Sequence, residues 1–106
     1  MRYTNSSGSV SIPEHVVLPS VFSLEQNYPN PFNPSTTINY QLTGRSHVTL
    51  KVFDVFGREV TTLVNGIENQ GHKSIQFDAN RFATGVYFYR LQAGSFIETK
   101  KLILLR

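Results

Sequence analysis

Chemistry at neutral pH needs a base, a nucleophile or a cluster of ligands, and the chain offers few candidates. Histidine is the side chain whose ordinary pKa lies nearest neutrality, and there are three: His15, His47 and His72. His15 falls in a serine- and proline-containing stretch, while His47 and His72 each stand beside a turn at the start of an alternating run. A solvated or turn-capping imidazole is the expected role there. No Gly-x-Ser-x-Gly stretch presents a nucleophilic serine. With no cysteine there is no thiolate, no disulfide and no thiolate metal site. Asp78 and Asn80 carry oxygens that suit calcium, but Asp-Ala-Asn-Arg is more simply a turn closed by side-chain hydrogen bonds to the backbone. The glycine spacings match no phosphate cradle. These residues predict no catalytic site, no metal and no cofactor.

Recognition chemistry is better represented. GVYFYRLQ, Gly85 to Gln92, places Tyr87, Tyr89 and Leu91 on one face of a strand and Val86, Phe88 and Arg90 on the other. Tyr87, Tyr89 or Phe88 could form a flat platform for a sugar ring, although tryptophan is missing and packing of these rings in a core is the expected outcome. Pro31 to Pro34 satisfies the loose PxxP pattern of polyproline ligands, but the flanking asparagines and the strand that follows favour a rigid corner leading into the fold. The formal charge of +3 invites a nucleic-acid partner. Residues 1–65 carry four basic and four acidic groups, and residues 66–106 carry six basic and three acidic. The excess is spread along the last forty positions as a solvated strand face would be, so no nucleic-acid partner is expected.

These side chains must be positioned by strands. In residues 1–20, Ser6, Ser7, Gly8, Ser9, Ser11, Pro13 and Pro19 follow no period, which predicts a linker. From residue 21 to 106 apolar residues recur every second position. Val21–Leu24 predicts a short first strand. Thr37–Leu42 predicts a half-buried strand with Ile38, Tyr40 and Leu42 inward. Val48, Leu50 and Val52 form the next apolar row, which turns at Asp54–Gly57, and Arg58–Val64 follows with Val60 inward. Asn65-Gly66 suits a tight turn, so residues 65–71 are predicted to be a loop before a strand at Lys73–Asp78. Gly85–Gln92 and Phe96–Leu105 complete about seven strands with no helical period. The prediction is an all-β, immunoglobulin-like sandwich of about seven antiparallel strands with one core. No run approaches a membrane-spanning helix and the first residues lack the apolar stretch of a signal peptide, so the chain is expected to be a C-terminal module or a fragment of a longer protein.

Four pieces, in order, are specific together: QNYPNPFNPST with Pro29, Pro31 and Pro34; VFDVFGREV with Asp54, Gly57 and Arg58; ATGVYFYRL with Gly85 and Tyr87; and the terminal KKLILLR. From Leu24 to Arg106 the chain resembles the C-terminal sorting domain of the type IX (Por) secretion system of Bacteroidetes and relatives. The immunoglobulin-like domain of flagellar hook-capping proteins shares the Asp-x-x-Gly-Arg hairpin, but the proline-asparagine segment is less expected there. The resemblance implies a non-catalytic label that takes an N-terminal cargo through the periplasm and across the outer membrane, to be secreted or held at the cell surface. It implies recognition by the outer-membrane translocon, with Lys100, Lys101, Leu102, Ile103 and Leu104 as the expected recognition residues. It also implies removal by a sortase-type cysteine protease cutting in the linker. No small-molecule substrate is expected. The alternative is a carbohydrate-binding or structural accessory module of a secreted glycoside hydrolase.

Overall fold

The computed structural model describes residues 21–106. The predicted linker, residues 1–20, lies outside the described residues. Seven strands follow in order: β1 (Ser23–Leu24), β2 (Ser35–Leu42), β3 (Ser46–Phe53), β4 (Glu59–Glu68), β5 (Gly71–Asp78), β6 (Gly85–Ala93) and β7 (Phe96–Leu104). All pair antiparallel, in a three-stranded sheet ordered β1-β2-β5 and a four-stranded sheet ordered β4-β3-β6-β7. In immunoglobulin constant domains the fourth strand lies beside the fifth. Here it has joined the opposite sheet, beside β3.

The alternation predicted from sequence decides which rows go inside. Ile38, Tyr40 and Leu42 from β2 meet Val48, Leu50 and Val52 from β3, Tyr89 and Leu91 from β6, and Leu102 and Leu104 from β7, all fully buried or nearly so. β-Branched and aromatic residues suit such a pleated, one-sided surface. The Tyr40 hydroxyl, too long for the core alone, reaches across to donate a 2.6 Å hydrogen bond to Glu68 on β4. Burial, helped by that carboxylate, raises the Tyr40 pKa well above its ordinary value, so the phenol stays a donor. Tyr87, at the start of β6, donates to the carbonyl of Ala83 at 2.6 Å. That is the tyrosine corner found at the same point of many immunoglobulin-like sandwiches.

Two stretches depart from the sequence reading. Asn65-Gly66 is no turn: β4 runs through it to Glu68, with Thr49 opposite Asn65 and Val48 opposite Gly66. The dipeptide permits positive φ but does not demand it, and β3 supplies a partner that keeps it extended. The turn falls instead between Glu68 and Gly71. Val60 and Leu63 each occupy a register shift in β4, at the steps Val52/Phe53 and Leu50/Lys51 of the partner strand. Both remain half-buried against the core, with the bends that bulges bring to an edge strand.

Candidate recognition surface

The site begins at β7, an edge strand of the larger sheet. Its residues alternate strictly. Phe96, Glu98, Lys100, Leu102 and Leu104 face the other sheet, and Ile97, Thr99, Lys101 and Ile103 face outward. Of the five expected recognition residues, Leu102 and Leu104 are fully buried, and Ile103 is half-buried on the outer face opposite Val86. Lys100 and Lys101 therefore part company. Lys100 leans to the inner side of the edge, opposite Tyr89, with its ammonium 3.3 Å from Glu98. Lys101 is exposed on the outer face, opposite Phe88, and makes no ion pair among the described residues.

The register places the outer face in cross-strand rows. Glu59, Phe53, Phe88 and Lys101 lie in one, and Thr62, Lys51, Arg90 and Thr99 in the next. The Arg90 guanidinium covers the Phe53 ring at 4.5 Å, a distance for cation–π attraction. A shallow depression of about 250 Å³ is lined by Phe53, Val55, Phe88, Arg90 and Thr99. Lys51 pairs with Glu59 at 3.3 Å. The Thr62 hydroxyl and Lys51 hold the Glu59 carboxyl below its ordinary pKa.

The hairpin joining β3 to β4 borders this face. Asp54 organises it: its Oδ1 accepts from the backbone N–H of Phe56 (2.9 Å) and Arg58 (3.0 Å), and its Oδ2 from Arg58 Nε (2.9 Å). Desolvation, the largest single influence, would raise the Asp54 pKa, but these donors together outweigh it and hold the carboxyl below its ordinary range. Gly57, at φ 81°, supplies the left-handed backbone that closes the turn. Phe56 at the tip is 80% exposed, with the Arg58 guanidinium 5.2 Å above it.

The proline segment closes the other side of β7. Pro29, Pro31 and Pro34 punctuate a stretch that lies along the edge of β7, each following a cis peptide bond. Phe32 exchanges backbone bonds with β7, donating to Ile103 O and accepting from Leu105 N, both at 3.0 Å. Asn30 Oδ1 accepts from Ile103 N at 2.9 Å, and Gln26 Nε2 donates to Lys101 O at 2.7 Å. Asn27, 2% exposed, is the centre. Its backbone N–H donates to the Tyr89 hydroxyl (2.8 Å), and its amide donates to Thr36 Oγ1 (2.9 Å) and Pro29 O (3.1 Å). The Tyr89 hydroxyl donates in turn to Glu25 O at 2.7 Å. Burial, only partly offset by the Asn27 donor, pushes the Tyr89 pKa up to about 12.

Sequence reasoning did not single out Gln26, Asn27 or Arg106, and it read Asn30 only as a flank of the proline corner. Arg106 donates to the carbonyls of Ala79, Asn80 and Phe82 at 2.6–2.7 Å and so ties the last strand to the corner between β5 and β6. The one available signal was two amide side chains among prolines, which cannot donate from their own backbone. No cluster of His, Asp or Glu among the described residues is arranged to hold a metal ion. The candidate sugar platform divides: Tyr89 is fully buried, Tyr87 packs edge-on against Phe82, and only Phe88 stands on the outer face.

No curated protein and no solved structure matches the chain. A family model does, and it spans the proline segment, the hairpin, β6 and β7 alike: residues 26–105 match the family described as the secretion system C-terminal sorting domain. Over these residues the chain belongs to that family, the sorting signals of type IX secretion.

Proposed function

We propose that the sandwich acts as a folded label whose exterior, and not any reactive pocket, is read by the type IX machinery. The family match carries the sorting role and implies an N-terminal cargo. The observation that supports a location for the reading is Lys101, exposed on β7 beside Phe88 and Ile103. A cation flanked by half-buried apolar side chains can make a charge-assisted contact and a desolvated one together. Leu102 and Leu104 keep the strand in place from within. Lys100 has a structural role, since a charge leaning inward on an edge discourages stray pairing. The cargo passes through the periplasm, and a sortase-type cysteine protease then cuts before the domain, within residues 5–20.

The test is the whole chain fused behind an inert reporter in a host that has the pathway. Surface delivery of the reporter is expected, and Lys101→Glu should reduce it severalfold with an unchanged melting temperature. A fusion that remains folded in the periplasm would sink the sorting reading. Normal delivery of Lys101→Glu would leave sorting intact and remove Lys101 from it. Retention on insoluble polysaccharide would favour a sugar-binding module, a reading the burial of Tyr89 opposes.

A further inference from the structure

Four strands end the two sheets: β1 and β5 in the smaller, β4 and β7 in the larger. An open edge offers unpaired N–H and C=O groups to any other strand, and proteins blunt such edges. β1 is only two residues long. β4 is bent at two register shifts. β7 is covered by the proline segment and carries Lys100 and Lys101.

β5 stands apart. All eight of its residues pair with β2 without a register shift, from Asp78 opposite Ser35 to Gly71 opposite Leu42, and it contains no proline. Its inward row is incompletely covered: Ile75 is only half-buried, whereas Ile38, its partner on β2, is fully buried. Among the described residues nothing pairs with its outer side.

We propose that β5 pairs antiparallel with β5 of a second copy of this chain, about a two-fold axis through Ile75, joining the two smaller sheets into one continuous sheet. Directly opposite residues in an antiparallel pair share a face, so the axis must pass through a residue and not between two. An axis through Ile75 sets His72 against Asp78 of the second copy and Ser74 against Gln76, all exposed in the single chain. By symmetry the His72–Asp78 contact forms twice. Asp78 Oδ1 already accepts from Asn80 N at 3.0 Å, which leaves Oδ2 to accept from the imidazole of the second copy. Moving the axis to Ser74 or Gln76 pairs neither. Lys73, which leans to the inner face, meets Phe77 of the second copy and stays four positions from its own counterpart, so no like charges face each other. The Ile75 side chains meet on the axis and cover each other's remaining exposure.

Sedimentation or light scattering of the whole chain tests this. A concentration-dependent species of twice the 12.0 kDa monomer is expected. Ser74→Lys/Gln76→Lys sets lysines opposite each other at exposed positions and should return a monomer whose melting temperature matches that of the wild type at a dilution where it too is monomeric. Ile97→Lys/Thr99→Lys on β7 should leave the dimer unchanged. A wild-type chain that stays monomeric at the highest attainable concentration overturns the proposal, including the case where β5 awaits a strand from another protein. So does a dimer that survives the β5 lysines or is broken by the β7 lysines.

Discussion

The proline segment and the Asp54–Arg58 hairpin are both short polar loops with a family signature, yet they are held in opposite ways. Every hydrogen bond of the Asp54 side chain closes within four residues, and Phe56 at the tip is 80% exposed. The hairpin is a local object that would take much the same shape on another sandwich. The Asn27 and Asn30 bonds reach Tyr89 and Ile103, sixty or more positions away, and Phe32 sits in the core at 2% exposure. Its conformation exists because β6 and β7 receive it. A segment stitched across two sheets carries global stability, whereas an exposed turn mostly sets local geometry.

Six substitutions would break or sharpen this contrast. Phe32→Ala should cost the most, about 3–5 kcal/mol, because it empties a core position beside Phe77, whose ring centre is 6.0 Å away. A loss below about 1 kcal/mol in urea unfolding would mean the segment is no part of the core. Asn27→Ala should cost about 2–3 kcal/mol, since it withdraws the amide donors to Thr36 and Pro29 at a buried site. Tyr89→Phe, measured beside it, should be less than additive if the two share one network. Gly57→Ala should cost about 1 kcal/mol from its left-handed backbone alone, because open space surrounds the position. A larger loss would show the hairpin to be coupled to the core.

Arg58→Ala should be the mildest, within about 0.5 kcal/mol, as its side chain is 73% exposed. The hairpin should show itself instead in acid. Asp54 and Glu59 have depressed folded pKa values, so their contribution is complete above the ordinary carboxylate range and is lost as pH falls through the lower folded values. Asp54→Asn should lower the neutral plateau by that contribution and so flatten the acid limb of the stability curve, leaving stability at the lowest pH nearly unchanged.

Much of the fold was legible because burial here follows a period of two. Ile38-x-Tyr40-x-Leu42 and Val48-x-Leu50-x-Val52 name their own inward faces. Asp54 and Gly57 likewise announce a turn by backbone chemistry that needs no distant partner. The Asn65-Gly66 misreading has the converse cause: glycine and asparagine widen the allowed backbone without choosing within it, and pairing with β3 chose. The candidate site was legible only in outline. KKLILL shows alternation after Lys100, but only the pairing of β7 with β6 reveals that Lys100 leans inward to Glu98 while Lys101 faces out beside Phe88. Asn27 carried only a weak signal, since an amide beside prolines looks like solvated loop until the Tyr89 hydroxyl is brought to its backbone N–H.

Sequence alone settled the strand-rich class, the inward rows and the self-contained hairpin, because steric alternation and turn chemistry act between residues a few positions apart. The tertiary structure decided which edges are closed, which lysine is presented and where the asparagines find their partners. Those outcomes depend on strands remote in the chain meeting in one register, and a buried polar group is stable only where such a meeting supplies its hydrogen bonds.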